Sequence, residues 1–151
     1  MKKLIIILIF FTTSCGYKPI YSKNDQLILE FNKITLSGNE RINRKIVNIL
    51  DLKENLSNSQ ELLLTTTYNI EETSKNSKGT VETFRSIITT QLVIKKGEKI
   101  VKNKNFLNEF SYNNKDSKYE LTKFQNNIKN NLINDLTREI ILFLKLLLFK
   151  N

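Results

Sequence analysis

The sequence predicts an α+β fold: a two-layer sandwich in which a four-stranded, mostly antiparallel sheet carries two helices on one face. Three observations predict it. Residues 61–112 hold three β-like segments of alternating polar and apolar side chains, separated by the polar turns "KNSKG" and "KKGE". From Phe124 to Leu144 an apolar residue recurs every four positions, the spacing of one helix face. A further strand pattern and helix pattern precede these, giving the order β-α-β-β-β-α. With 151 residues the chain has room for one such domain.

Each element has its own signal. "QLILEFNKITL" (26–36) is apolar and β-friendly, a strand. "SGNE" (37–40) supplies a helix start. In "RINRKIVNILDLKENL", Ile42, Ile46, Ile49 and Leu50 fall on one helical face, with Arg41, Arg44, Lys45 and Asn48 largely on the others. This helix is expected to end near Leu56, where Ser-Asn-Ser begins a turn. "ELLLTTTYNIEETS" (61–74) puts Leu62, Leu64, Thr66, Tyr68 and Ile70 on one face of a strand. "TVETFRSIITTQLVI" (80–94) does the same with Phe84, Ile88, Leu92 and Ile94, leaving Arg85 on the other face. "KIVKNKNFLNEFSY" (99–112) aligns Phe106, Phe110 and Tyr112. Short turns between the three imply an antiparallel meander.

In "NNKDSKYE" (113–120), Ser117 and Glu120 have capping-box spacing. They open a helix from about Lys118 into the 140s, whose stripe is Phe124, Ile128, Leu132, Leu136, Ile140 and Leu144. From Ile140 to Phe149 the pattern is apolar nearly all round, broken by Lys145. That is too short to span a bilayer and reads as core packing or a partner-binding end.

The amino terminus carries an address. Met1-Lys2-Lys3 precedes the apolar run Leu4 to Phe11, then Thr12-Thr13-Ser14, a secretory signal pattern. Cys15 follows at once. As the only cysteine it has no intramolecular disulfide partner. The order resembles the bacterial lipobox, in which the peptidase cuts before a cysteine whose thiol carries a diacylglycerol and whose new amino group is acylated. The division that follows is a signal peptide at 1–14, a lipidated tether at 15–25 and one domain at 26–151. Two or three acyl chains would hold the protein firmly. Thr12 departs from the usual Leu, and an ordinary signal peptide before an unmodified Cys15 is the other reading. Gly16, where an Asp would favour retention at the inner membrane, resembles the pattern of lipoproteins sorted to the outer membrane.

Composition narrows the function. The chain has 24 Lys+Arg against 15 Asp+Glu, a net charge of +9. Such a balance suits a phosphate-bearing partner: nucleic acid, anionic lipid or lipopolysaccharide. Asn, Ile and Lys are all encoded by AT-rich codons, so genome bias is the other reading of the lysine excess. The absence of His removes Ser-His and Cys-His nucleophilic pairs and His-based metal sites. A single Cys excludes thiolate zinc clusters and a CxxC pair. Glu71 and Glu72 are adjacent on a strand and point to opposite faces. Asp135 and Glu139 share a helix face, but beside Arg138 they read as solvated. Neither Ser86 nor Ser117 has an activating motif, so an enzyme is not expected. A secretion signal, and aromatics at core-like periods, argue against nucleic-acid binding.

Cys15, Gly16, Tyr17, Pro19, Ile20 and Tyr21, followed by β-α-β-β-β-α with a long carboxy-terminal helix, resemble the LPS-assembly lipoprotein family, LptE, in its short, often alphaproteobacterial branch. The resemblance implies a non-enzymatic outer-membrane lipoprotein, periplasm-facing and held by its lipid. It would plug and help assemble the LptD β-barrel and aid lipopolysaccharide transport. No cofactor is implied beyond the diacylglycerol and N-acyl lipid on Cys15. The resemblance places Lys75 and Lys78, in the turn after the second strand, near a basic lipid-A-contacting residue of the family. It places Lys115 near a second, with Arg85 as a third candidate; all four also read as solvated cations of a lysine-rich chain. A different lipoprotein, an accessory subunit or scaffold of an envelope transport complex, would share the anchor and the sandwich.

If Cys15 is the attachment point, Cys15→Ala abolishes incorporation of radiolabelled palmitate, read by autoradiography of the immunoprecipitated protein. Undiminished labelling would remove the lipobox reading.

Overall fold

A computed structural model describes residues 29–148. The predicted signal peptide, Cys15, the tether 15–25 and the first residues of the domain lie outside the described residues. The elements are β1 (Glu30–Phe31), β2 (Lys33–Gly38), α1 (Glu40–Ile49), β3 (Lys53–Glu54), β4 (Gln60–Lys75), β5 (Val81–Lys96), β6 (Lys99–Asn113) and α2 (Lys118–Leu148). The main sheet has the order β2-β4-β5-β6. β4-β5-β6 is the expected meander, antiparallel throughout, with Leu64 opposite Leu92 and Thr90 opposite Phe106. β2 runs parallel to β4, Leu36 facing Leu64. A helix-bearing crossover is what a parallel pair requires, and α1 supplies it.

The first strand departs from its expected form. It breaks at Asn32, whose N–H donates to the Gln60 carbonyl at 2.6 Å. The part before the break, β1, leaves the main sheet and pairs in parallel with β3, Glu30 opposite Lys53 and Phe31 opposite Glu54.

α1 starts as its sequence indicates. The Asn39 side chain accepts from the Ile42 N–H at 3.2 Å, satisfying one of the donors that a helix start leaves bare. The helix then ends at Ile49, not near Leu56. The reason is local. The Asp51 N–H reaches the Asn48 carbonyl and the Leu52 N–H reaches the Val47 carbonyl, the pair of bonds that closes a helix through a left-handed residue. Asp51 is that residue, with φ 49°, and short polar side chains tolerate this conformation. Leu50 and Leu52 are buried by the reversal while Ile49 is left 47% exposed, so the predicted stripe loses one member.

α2 begins with the expected cap, the Glu120 N–H donating to Ser117 Oγ at 3.4 Å. Its stripe Ile128, Leu132, Leu136, Ile140 and Leu144 is buried in one core with Leu62, Leu64, Ile88, Leu92, Ile94 and Phe106 from the sheet and Ile42 and Ile46 from α1. Each such side chain contributes about 1.5–3 kcal/mol when fully buried. Two aromatic contacts set the direction of α2. Tyr112 meets Phe124 edge-on at 5.7 Å and Phe106 meets Phe143 at 5.8 Å, so α2 runs back along β6. Phe110, expected to be buried with its neighbours, is 49% exposed because β6 is an edge strand.

Gly38 closes β2 at φ +75°, and a Cβ there would run into the backbone carbonyl of Thr66. That carbonyl also accepts from the Asn39 N–H at 2.7 Å, so it has little room to move. Gly38→Ala is expected to destabilise the fold by about 1–3 kcal/mol, read as a lower midpoint in urea at unchanged slope.

Candidate functional site

With both helices on one side, the other face of the sheet is open. Alternation places Ser37, Thr65, Gln91 and Asn105 in one row across the four strands, and Thr67, Thr89 and Leu107 in the next. The Gln91 amide donates to Asn103 Oδ1 at 3.2 Å. These short hydroxyl and amide side chains present donors and acceptors to whatever covers the face. Val93, 5% exposed, is buried on this side but stands outside the core cluster.

The covered face has a polar line of its own. Thr66 and Thr90, opposite each other in register, share a hydroxyl–hydroxyl bond of 2.8 Å. Ser86 Oγ lies 3.2 Å from both the Tyr68 and Tyr112 hydroxyls. The small Ser86 leaves room for two phenols to converge, so this serine is a buried hydrogen-bonding hub. Burial pushes the Tyr68 phenol above its ordinary value of 10.0, the bond to Ser86 partly opposing and the charge of Tyr112 adding to the rise. Lys129 stands 5.6 Å over the Tyr68 ring. Neither Ser86 as a hub nor Lys129 was marked by the sequence; the adjacency of Lys129 to the stripe residue Ile128 is the one signal that could have found it.

The topology brings three of the predicted lipopolysaccharide-binding residues to one end of the sheet. Lys75 closes β4, Lys78 lies in the β4–β5 turn, and Lys115 follows β6. The turn is held by Asn76 Oδ1, which accepts from the N–H groups of Lys78 and Thr80 at 3.0 Å each. Beside it a cleft of about 430 Å³ is lined by Thr80–Thr83 and Asn113–Asp116. Its charged lining is mixed: Lys115 with Glu82 and Asp116. Lys75 is paired to Glu72 at 3.0 Å, and Lys115 stands 5.0 Å over the Phe124 ring. The Lys75–Glu72 pair is exposed on both sides, and such a surface pair adds little that would hold the lysine back from another anion.

Arg85 is set apart, on the open face between Glu71 and Ser111. Its guanidinium lies 3.8 Å from Glu109, and its buried Nε has no partner. The carboxylates weighed for chemistry are engaged elsewhere: Asp135 accepts from Arg138 at 3.4 Å and Glu139 from Asn108 at 2.8 Å. Among the described residues no helix is long and apolar enough to cross a membrane.

This arrangement defines a class: a two-layer α+β sandwich with both helices on one face of a four-stranded main sheet. Solved structures of that class resemble the chain over most of their length. The rare lipoprotein B from Shewanella oneidensis superposes with a TM-score of 0.58 at 12% identity, covering 79% of this chain and 98% of that one. A putative lipoprotein from Caulobacter crescentus gives 0.55 at 14% identity, over 78% and 92%. A minor lipoprotein from Acinetobacter baumannii gives 0.52 at 16% identity, over 74% and 89%. At these identities the likeness establishes the fold. No protein-family model and no curated protein matches the chain.

The Tyr68 environment generates a pH dependence. A phenol whose folded-state value is raised stabilises the fold fully below about pH 10, and that contribution is lost as pH rises through and beyond this value. The unfolding midpoint in urea is therefore expected to fall above pH 10 in the native chain and to fall less steeply in Tyr68→Phe.

Proposed function

We propose that the chain is an outer-membrane lipoprotein, anchored through Cys15 and facing the periplasm, that plugs and helps assemble an LptD-type β-barrel and aids passage of lipopolysaccharide to the cell surface. The observation that carries this reading is the open sheet face. A plug inside a barrel must satisfy the inward-pointing polar groups of the wall, and rows of Thr, Gln, Asn and Ser offer donors and acceptors at strand spacing. Support comes from the fold, shared over 98% of the length of a solved rare lipoprotein B, and from the opening Cys15-Gly16-Tyr17 with Pro19-Ile20-Tyr21.

Lipopolysaccharide presents phosphates and acidic sugars. Lys75, Lys78 and Lys115 at the hairpin end meet such groups as point charges on flexible stems, with Arg85 as a planar donor further down the face. The mixed cleft beside them suits a partner carrying both anionic and hydroxyl groups.

The test is a pull-down of the intact protein from outer membranes. Stoichiometric recovery of a large β-barrel is expected; recovery of no barrel overturns the plug reading and leaves an accessory subunit or scaffold of an envelope complex. In the same purified material, Lys75→Glu/Lys78→Glu/Lys115→Glu is expected to weaken lipopolysaccharide retention roughly 3- to 150-fold, each exposed cation contributing about 0.2–1 kcal/mol.

A further inference from the structure

The opposite end of the sheet has a chemistry of its own. β4 begins there, and β5 turns into β6 there through Gly97. β1 and β3 lie at the same end, the Leu29 carbonyl accepting from the Lys53 N–H at 3.0 Å. From the turn the chain reads Lys99-Ile100-Val101-Lys102-Asn103-Lys104. Ile100 is 53% exposed and Val101 40%, and around them the lysines at 96, 99, 102 and 104 are exposed together with one carboxylate, Glu98. Among the described residues, none of the ion pairs engages these four lysines.

α2 runs toward this end. Phe124 meets Tyr112, Glu139 meets Asn108 and Phe143 meets Phe106, so helix numbers rise as β6 numbers fall. The solvent stripe of α2 carries Asp135, Arg138 and Glu139 and then changes to Leu142 and Leu146, 60% and 68% exposed. Ile140 and Leu144, buried on the inner side of the same turns, already fill the core there. Folding therefore does not account for the outward leucines.

We infer that this end of the domain seats on a phospholipid bilayer surface bearing anionic headgroups. Ile100, Val101, Leu142 and Leu146 enter the boundary between headgroups and acyl chains, and the lysines lie among the phosphates. Apolar side chains flanked by basic ones bind such a surface by burial plus electrostatic attraction. The position of the chain's start agrees. Leu29 lies at this end, so the chain leading back to an acyl anchor on Cys15 joins the domain here and not at the Lys78 end. Only that last step rests on the lipoprotein reading; the charge and the exposed side chains stand without it.

The test uses the intact lipidated protein in phosphatidylcholine vesicles containing phosphatidylglycerol and acyl-brominated lipid. An environment-sensitive fluorophore is placed at Ile100→Cys, Leu142→Cys or, as the control at the far end, Lys78→Cys. These positions are exposed, and matching thermal midpoints verify that the variants fold. Quenching by brominated lipid is expected to be several-fold stronger at 100 and 142 than at 78. It should drop in Lys96→Glu/Lys99→Glu/Lys102→Glu and when phosphatidylglycerol is omitted.

Equal quenching at 100 and 78 overturns the inference, as does quenching indifferent to the charge reversal. A partner strand added along β6, the competing occupant, shields 100 without lipid quenching and so also overturns it. Fluorophore uptake by protein lacking an introduced cysteine would show Cys15 unacylated. That sinks the lipoprotein reading alone, and a Cys15→Ser background then repeats the comparison by vesicle binding from solution.

Discussion

The seating of α2 on a single face of the sheet is the contact on which the rest of the molecule depends. β4 and β5 are 16 residues long, and strands of that length cannot hold together without a covered face. The one long stripe available comes from α2. Leu136 and Ile140, fully buried at its middle, lock the helix along β6, and α1 covers the β2–β4 side. Because both helices are used on that face, nothing in the described chain remains to cover the other. The open face stands in water through the Thr, Gln and Asn of its middle rows, while Leu63, Val93 and Ile87 on the same face are half-buried or buried. The polar rows of the open face are thus a consequence of having one covering layer.

The covered face is not wholly apolar. Thr66, Thr90 and Ser86 sit in its middle with no exposure, where an unpaired hydroxyl costs roughly 1–3 kcal/mol. Register resolves this. Thr66 falls directly opposite Thr90, and the phenols of Tyr68 and Tyr112 approach Ser86 from the strands on either side. A shift of one residue would break each bond and turn the hydroxyls to the wrong face. Satisfied only in one alignment, these groups specify the pairing of three long strands more narrowly than interchangeable Leu and Ile contacts do.

Periodicity makes most of the fold legible in the sequence, because the signals for β4, β5, β6 and α2 are local. Leu62 to Ile70 alternate whatever surrounds them, and Phe124 to Leu144 recur at four residues in any helix. What escaped depended on distant partners. The parallel sense of β2 leaves no trace in "KITL", since alternation is the same for either direction. The early end of α1 turned on Asp51 taking a conformation usually left to glycine, while Leu50 and Leu52 found burial that an unbroken helix would have denied them. The candidate site divided in the same way. That Lys75, Lys78 and Lys115 share one end follows from a meander's topology. That Lys75 meets Glu72, and that Arg85 meets Glu109 across β6, depends on side-chain reach and register.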